Sequence, residues 1–350
     1  MVGQVAGGDV QAQLRRLSDI DARTEAAWTE LAARAVEPNP FFEPLFVRPL
    51  ARHLGLDVAV LTVEHGTDMV VCLPLLRGTL QWHGLPLDAW RGMWNPLTTP
   101  LADIEGADAA LASAIAQFSS LGGPRLLVLD YLTADGPVAA ALGAATAGRS
   151  QLWPSKFKES TRPVLHRRDD GSYFATTLVG KHKRKLAWAR RALERELGDS
   201  LTVVDEGGHG DAVERLLAIE VSGWKGRIGS AVESRADHAA YFRDICARFA
   251  DHGRLQILSL RGAGTTVASK CDIRAGGMTF GFRTAFDERF AKASPGVQLE
   301  IDAVTVFHAS GDVFADSCTN HVDNPQAWLW PDRRRLTRFI VALDRTMIRQ

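Results

Sequence analysis

The chain has 350 residues, of which 46% are hydrophobic, so it is long enough for about two domains with real cores and is not a disordered protein. Lysine plus arginine and aspartate plus glutamate both number 41, so no overall charge draws the chain to nucleic acid or to a membrane. Without a run of about 20 apolar residues, a signal-peptide pattern or CxxC spacing, the sequence predicts a cytoplasmic protein with no membrane span, metal site or disulfide framework.

The N-terminal half starts with two helix patterns and two strands joined by a turn. A Trp-rich extended stretch, a further helix and a strand ending near Asp130 follow. In chain order, the elements are predicted at 20–35, 46–54, 58–63, 69–76, 107–121 and 125–131.

The C-terminal half repeats that order of elements. Its predicted elements are helices at 211–224 and 236–252, strands at 254–261, 265–274 and 278–286, a helix at 296–310, a strand at 312–318 and a helix at 331–348. The repeated order predicts a duplicated α/β domain. We place the two copies at 1–155 and 201–350, with a connecting segment at 156–200.

The segment 278–310 changes from a strand pattern to a helix pattern at a Ser-Pro-Gly turn. Apolar and polar residues alternate up to Phe286, and from Gly296 onward the apolar residues recur at helical spacing. The first amides of a helix lack intrahelical acceptors and lie at its positive end. The turn therefore predicts an anion site suited to a pyrophosphate.

The stretch 181–196 (KHKRKLAWARRALERE) is the most charged part of the chain. One interpretation is a solvated linker helix whose leucines pack on a domain. The other is an electrostatic clamp for a phosphorylated partner such as coenzyme A or RNA.

Four stretches resemble the CelD/BcsL family of GNAT-type acyltransferases, named for an association with bacterial cellulose biosynthesis. They are NPFFEPLF at 39–46, LVGKHKRKLAWARRALE at 178–194, EVSGWKGRIGS at 220–230 and FRTAFDERFAKASPGVQL at 282–299. The last two are similar to the family signatures Glu-x-x-Gly-Trp-Lys-Gly and Lys-x-x-Tyr-Asp-Glu-x-x-x-x-x-Ser-Pro-Gly. Arg283 and Phe286 depart from the second signature.

The resemblance implies two tandem GNAT-like domains, each with a mixed central sheet flanked by helices. It implies transfer of an acyl group from acetyl-CoA or another acyl-CoA to an amine of a small-molecule or sugar acceptor. Similar tandem folds serve Fem-type transferases, whose donor is an aminoacyl-tRNA, and a catalytically degenerate scaffold is a third reading. The donor-binding residues implied in the C-terminal copy are Arg283, Phe286, Lys292, Ser294, Gly296 and Val297.

Glu220 falls on the apolar stripe of its predicted helix, where an unpaired carboxylate is costly. Glu220 either forms a structural ion pair with Lys225 or Arg283, or acts as a general base whose pKa is raised by burial. Trp224 and Lys225, in the signature after it, are candidate substrate-binding residues.

The sequence DSCTNH follows the last predicted strand of the C-terminal copy, and ligands commonly sit at strand ends in open α/β sheets. Asp316 with His321 is our preferred pair for acid/base chemistry or acceptor binding. Cys318 is a weaker candidate, for acceptor binding or a covalent acyl intermediate. The alternative is a strand end with capping residues.

Overall fold

The computed structural model describes residues 10–76, 87–88, 94–103, 106–120, 126–147, 150–153, 160–319 and 324–342. By its internal contacts the chain divides into two compact units. One comprises Met1–Thr161 with Arg335–Gln350, and the other comprises Arg162–Arg334.

The first unit contains two groups of paired strands, and helices alternate with these strands along the chain. Its elements are β1 (Val10–Arg16), α1 (Ala22–Arg34), α2 (Pro44–Leu54), β2 (Val58–His65), β3 (Asp68–Leu76), β4 (Leu87–Asp88), β5 (Leu101–Ala102), α3 (Ala107–Ser120), β6 (Leu126–Thr133), α4 (Pro137–Ala145) and β7 (Ser150–Trp153). The strands β1, β2, β3 and β5 form an antiparallel sheet in that order. β4 pairs with β6 in parallel.

The second unit contains the longer and more continuous sheet. Its elements are β8 (Ser160–His166), α5 (Gly180–Leu197), β9 (Thr202–Asp205), α6 (Gly210–Ser222), α7 (Trp224–Arg227), α8 (Ala236–Asp251), β10 (Leu255–Gly262), β11 (Thr265–Ala275), β12 (Met278–Phe286), α9 (Pro295–Ser310), β13 (Phe314–Asp316) and α10 (Pro325–Leu329). The sheet order is β8-β13-β12-β11-β10-β9. Only the β12–β13 pair is parallel.

The strand β11 lies at the centre of this second core. Residues 266–273 are buried without interruption, so both faces of the strand are covered. The helix α9 packs over the sheet through Leu299 and Ala303. Pro295 starts α9 at a position that needs no amide donor, and Gly311 ends it in the left-handed conformation with φ 88°.

The predicted connecting segment is not a separate linker. The helix α5 belongs to the second unit, where Leu193 is buried in the core with Leu299. Arg190 donates to Asp302 of α9 at 2.8 Å, which fixes the helix further. The domain boundaries therefore fall at 161/162 and 334/335 rather than at 155 and 200.

The prediction of a C-terminal helix at 331–348 is wrong for the residues of this stretch that the structure describes. Residues Asp332–Ala342 form a strand, β14, which pairs with β6 antiparallel and with β7. Leu336, Phe339 and Val341 are buried along it. Over so short a run, the spacing of these three residues fits both a helix and a strand. The hydrogen-bonded pairing with β6, which is distant in sequence, favours the strand. Residues 343–350 lie outside the described part.

Two smaller differences concern the second unit. The loop predicted at 287–295 contains a 3-10 helix, Glu288–Ala293, and the strand predicted at 312–318 is limited to β13. Within the described ranges, no helix is both long and apolar enough to cross a membrane.

Candidate active site

The strands β12 and β13 pair over only three residues and then separate. Met278 to Phe280 align with Phe314 to Asp316, where β13 ends, while β12 continues to Phe286. A β-bulge shifts the register between β11 and β12 at this level, so that Cys271 pairs with Arg283 but Asp272 with Gly281. Bulges of this kind bend a strand and increase its twist. Beyond Gly281, β12 is thus left with an edge that β13 does not cover.

Gly281 sits at the point where the two strands part. A Cβ atom built on it would lie 2.6 Å from the backbone oxygen of Ser317, so a side chain there would force the strands apart. Glycine is needed for this close approach of two backbones.

The end of β12 leads into the N-terminus of α9. Ser294 precedes the helix in the left-handed conformation with φ 53°. Its amide donates to Ala291 O at 2.9 Å, and the Val297 amide donates to Ser294 O at 3.0 Å. A Cβ built on Gly296 would meet Cδ1 of Phe286 at 3.6 Å, an ordinary contact. Lys292 is exposed beside this turn.

Among the predicted donor-binding residues, Phe286 lies beside Gly296 in the Ser294–Val297 turn, but Arg283 lies elsewhere. Its Nε donates to Oε1 of Glu220 at 2.6 Å, and its Nη2 donates to Ser230 O at 3.3 Å. Arg283 therefore joins β12 to α6 and the segment after α7.

Glu220 is the centre of a three-residue ion-pair cluster. Its side chain is fully buried, and besides Arg283 it accepts from Lys225 Nζ at 2.9 Å and from the Val232 amide at 2.8 Å. Burial raises the pKa of Glu220, but Arg283, Lys225 and the Val232 amide outweigh burial, so its pKa lies below the usual range. The expectation of a base with a raised pKa is wrong, and the geometry is that of the structural ion pair.

We expect Glu220→Gln to lower the free energy of unfolding by about 2 kcal/mol, because the partly buried Lys225 and Arg283 would lose their shared carboxylate. Chemical denaturation of the variant and the wild type measures this. Glu214→Gln, on the same helix but with an exposed partner, is the matched control and should change stability little. An equal effect of the two substitutions would contradict the structural assignment.

The helix α7 holds the GWKG signature in a tight turn. A Cβ on Gly226 would overlap Val221 O, at 1.8 Å, so only glycine fits. The Trp224 amide donates to Oε1 of Glu288 at 2.7 Å, which ties the turn to the segment after β12. The Trp224 side chain is 48% exposed and so is free to contact a ligand.

Asp316 ends β13 and is fully buried. Arg334 Nη1 donates to its Oδ2 at 2.7 Å, Arg162 Nη1 lies 3.6 Å from Oδ1, and the Cys318 amide donates to Oδ1 at 2.8 Å. Burial raises the pKa of Asp316, but the two arginines outweigh it and hold the pKa below its usual range. Asp316 is thus fixed in its ionised form by groups on three segments.

Cys318 lies next to this carboxylate in the left-handed conformation with φ 52°. Burial, followed by the negative charge of Asp316, raises the pKa of the Cys318 thiol well above its usual value. The thiolate needed for a covalent intermediate is therefore disfavoured. His321 lies outside the described residues.

Sequence reasoning missed a buried charged cluster between β11 and α9. Lys270 Nζ lies 3.2 Å from Oδ2 of Asp272 and 3.3 Å from Oε2 of Glu300, which also accepts from Gln326 Nε2 at 2.8 Å. Lys270 and Asp272 are two residues apart, so a strand places both on one face, but their burial could not be read from this mixed stretch of polar and apolar residues.

Asp272 is the carboxylate of this cluster with an unused hydrogen-bond acceptor. Its Oδ1 has no hydrogen-bond partner among the described residues. Burial and the neighbouring Glu300 raise the pKa of Asp272 to about 6, although the positive charge of Lys270 lowers it. It lines a cavity of about 20 Å³ together with Gly281 and Asp316, enough for one water molecule. Asp272 therefore lies beside the point where β12 and β13 separate.

Within the described residues, no group of three or more His, Cys, Asp or Glu side chains is arranged to hold a metal ion.

The sequence of residues 180–315 matches the family described as "Acetyltransferase (GNAT) domain". This stretch, called the GNAT domain below, is similar to GNAT acetyltransferase domains. The GNAT domain runs from α5 to the middle of β13, and it contains Glu220, the separating edge of β12 and the turn into α9. The prediction of an acyltransferase enzyme is confirmed at this level, and so is the α/β, GNAT-like fold class.

Solved structures extend the likeness of fold beyond the GNAT domain. FemX is similar with a TM-score of 0.63 at 9% identity, over 93% of this chain and 97% of FemX. A conserved protein of unknown function from Bacteroides thetaiotaomicron gives 0.57 at 11%, covering 93% and 98%. L-PGS from Bacillus licheniformis gives 0.54 at 10%, covering 94% and 93%. At such identities the likeness shows a shared fold alone. No curated protein matches the sequence.

Proposed function

We propose that the chain is an N-acyltransferase of the CelD/BcsL kind. It moves an acyl group, most simply acetyl, from acyl-coenzyme A to an amine of a small-molecule or sugar acceptor. The observation that carries the proposal is one feature of the GNAT domain: the edge of β12 that β13 does not cover leads, through the 3-10 helix Glu288–Ala293, into the N-terminal turn of α9. The proposal implies a cytoplasmic location, where acyl-coenzyme A is available.

The pantetheine arm and the pyrophosphate of the donor each suit one part of this feature. The amides of a pantetheine arm can pair with a strand edge as an added strand would. β13 does not pair with β12 beyond Phe280, and in that stretch Thr284 O accepts from Lys225 Nζ at 3.0 Å. A pyrophosphate suits the positive end of α9, with Lys292 exposed beside it. A Cβ at Gly296 would make only an ordinary contact, with Phe286 Cδ1 at 3.6 Å, so this residue leaves the turn uncrowded.

The reaction in this site is a direct transfer. The neutral amine nitrogen attacks the thioester carbon, the C–S bond breaks, and coenzyme A leaves as the thiolate, which takes up a proton. The raised pKa of the Cys318 thiol supports direct attack over a covalent acyl intermediate on that residue.

The attacking amine must lose a proton, and Asp272 is the carboxylate best suited to receive it. Its free Oδ1 and its pKa of about 6 match a base working near neutral pH, with the proton passing through a water in the adjoining cavity. Asp316 and Glu220, the bases favoured by the sequence, are held by cations with lowered pKa values. For them we propose positioning roles, at the end of β13 and beneath β12.

The pH dependence of turnover tests this assignment. Because the base must be ionised, kcat/KM should rise with pH through about 6, as Asp272 loses its proton. In Asp272→Asn this limb should disappear and kcat should fall by about 10²-fold. Steady-state rates from pH 5 to pH 9, with circular dichroism as a control for folding, provide the measurement. A limb near pH 6 that persists in the variant would exclude Asp272 as the base.

Binding of the donor separates this proposal from the alternatives raised by the sequence. An aminoacyl-tRNA-dependent transferase or a degenerate scaffold need not bind acetyl-CoA, whereas the proposed enzyme must. A thermal shift of the full chain with acetyl-CoA is the first test, since preferential binding to the folded state raises the Tm.

A further inference from the structure

The outer face of α5 carries a row of cations around one exposed tryptophan. Residues at helical spacings of three and four share a face. The members of this row are Lys181, Arg184, Lys185, Trp188, Arg191 and Arg195. All six are exposed, with Trp188 at 63%. At 1.5 Å per residue the row is about 21 Å long.

These cations have no ion-pair partner among the described residues. By contrast, Arg215, Arg243 and Arg261 in the same unit each contact a carboxylate. Arg190, on the inner side of the same helix, pairs with Asp302. Within 180–193 there is no acidic residue at all.

The arrangement is unfavourable for the isolated helix. Lys181 and Lys185 repel each other at i,i+4, as do Arg191 and Arg195. The lysines also lie at the positive end of the helix dipole, and the first turn has no acidic residue to offset them. A bound polyanion would relieve both effects.

Trp188 indicates which class of polyanion this face would bind. It lies near the middle of the row, three residues before Arg191 and four after Arg184. An exposed ring between cations is the combination that binds single-stranded nucleic acid, where bases stack on the ring and phosphates contact the cations. A membrane surface would require a broad apolar face, and here the apolar residues of α5, such as Leu193, are buried in the core.

We propose that the outer face of α5 binds single-stranded nucleic acid through stacking on Trp188 and phosphate contacts to the flanking cations. The proposal goes beyond acyl transfer and does not depend on coenzyme A being the donor.

Fluorescence anisotropy of a labelled 12-nucleotide single-stranded RNA with the full chain tests this surface. We expect log Kd to change with log salt with a slope of magnitude about 3.5 for five phosphate contacts, hence about 10²-fold weaker binding at 200 mM than at 50 mM. Arg184→Gln combined with Arg191→Gln should reduce the slope to about 2. Lys183→Gln, on another side of the helix, is the matched control and should leave affinity within about twofold.

The stacking part is tested separately. Trp188→Ala should weaken RNA binding about tenfold, and Trp188→Phe should restore most of it, with unchanged Tm in both. The proposal is overturned if the full chain does not bind the RNA at 50 mM salt, or if Trp188→Ala binds it as well as the wild type. It is also overturned if inorganic polyphosphate or phosphatidylglycerol vesicles bind more tightly than RNA and depend on the same residues.

Discussion

Asp316→Asn is expected to lower the free energy of unfolding by about 3–5 kcal/mol. The substitution keeps the shape of the side chain but removes the negative charge that Arg334 and the buried Arg162 share. Both guanidinium groups would then lose this buried carboxylate. Removing one partner of a buried ionic group costs much more than the intact group contributes.

The pH dependence of this effect has a definite sign. The pKa of Asp316 is lowered in the folded state, so its contribution is fully present above the unfolded pKa, near 4. The contribution is lost as the pH falls through the lower, folded pKa. The stability difference between wild type and Asp316→Asn should therefore be constant from pH 6 to pH 8 and shrink in acid.

Chemical denaturation at several pH values measures both parts. Asp237→Asn, which breaks the exposed pair with Arg235, is the control and should change the stability little near pH 7. A stable Asp316→Asn protein with kcat reduced 10²-fold would instead identify Asp316 as the catalytic base. That result would reverse the assignment of the base to Asp272.

Gly296→Asp is expected to weaken coenzyme A binding by about 10²-fold or more while the fold is retained. The new carboxylate would stand at the N-terminal turn of α9, against the phosphates of the donor. The fold should tolerate the change, because the backbone of Gly296 is not in the left-handed region and a Cβ there meets only Phe286, at 3.6 Å.

Two further variants separate charge from size at this position. Gly296→Ala should bind coenzyme A within about threefold of the wild type, and Gly296→Asn, the neutral isostere, should fall between alanine and aspartate. Isothermal titration calorimetry gives the affinities. If the aspartate and asparagine variants bind equally well, the phosphates do not lie at this turn.

The sequence was most informative where a local pattern and a turn residue agree. The alternation up to Phe286 and the proline at 295 predicted β12 and α9 almost to the residue. The C-terminal strand β14 was missed because its spacing fits two periods, and only its pairing with β6 decides between them.

The candidate site was predictable in part. The turn at Gly296 and the buried position of Glu220 could be read from spacing, but the partners of Glu220 could not. The Val232 amide and Arg283 come from segments 12 and 63 positions away. Asp272 was missed because a strand buried on both faces has no polar side against which a charged residue would stand out.

The central claim is that the GNAT domain takes acyl-coenzyme A as its donor. Native mass spectrometry of the full chain with acetyl-CoA tests it most directly, because the mass of the complex gives both the ligand and the stoichiometry. We predict one acetyl-CoA per chain at micromolar concentrations, lost in Gly296→Asp and retained in Gly296→Ala. Folded wild-type protein that binds no acetyl-CoA at millimolar concentrations would contradict the claim.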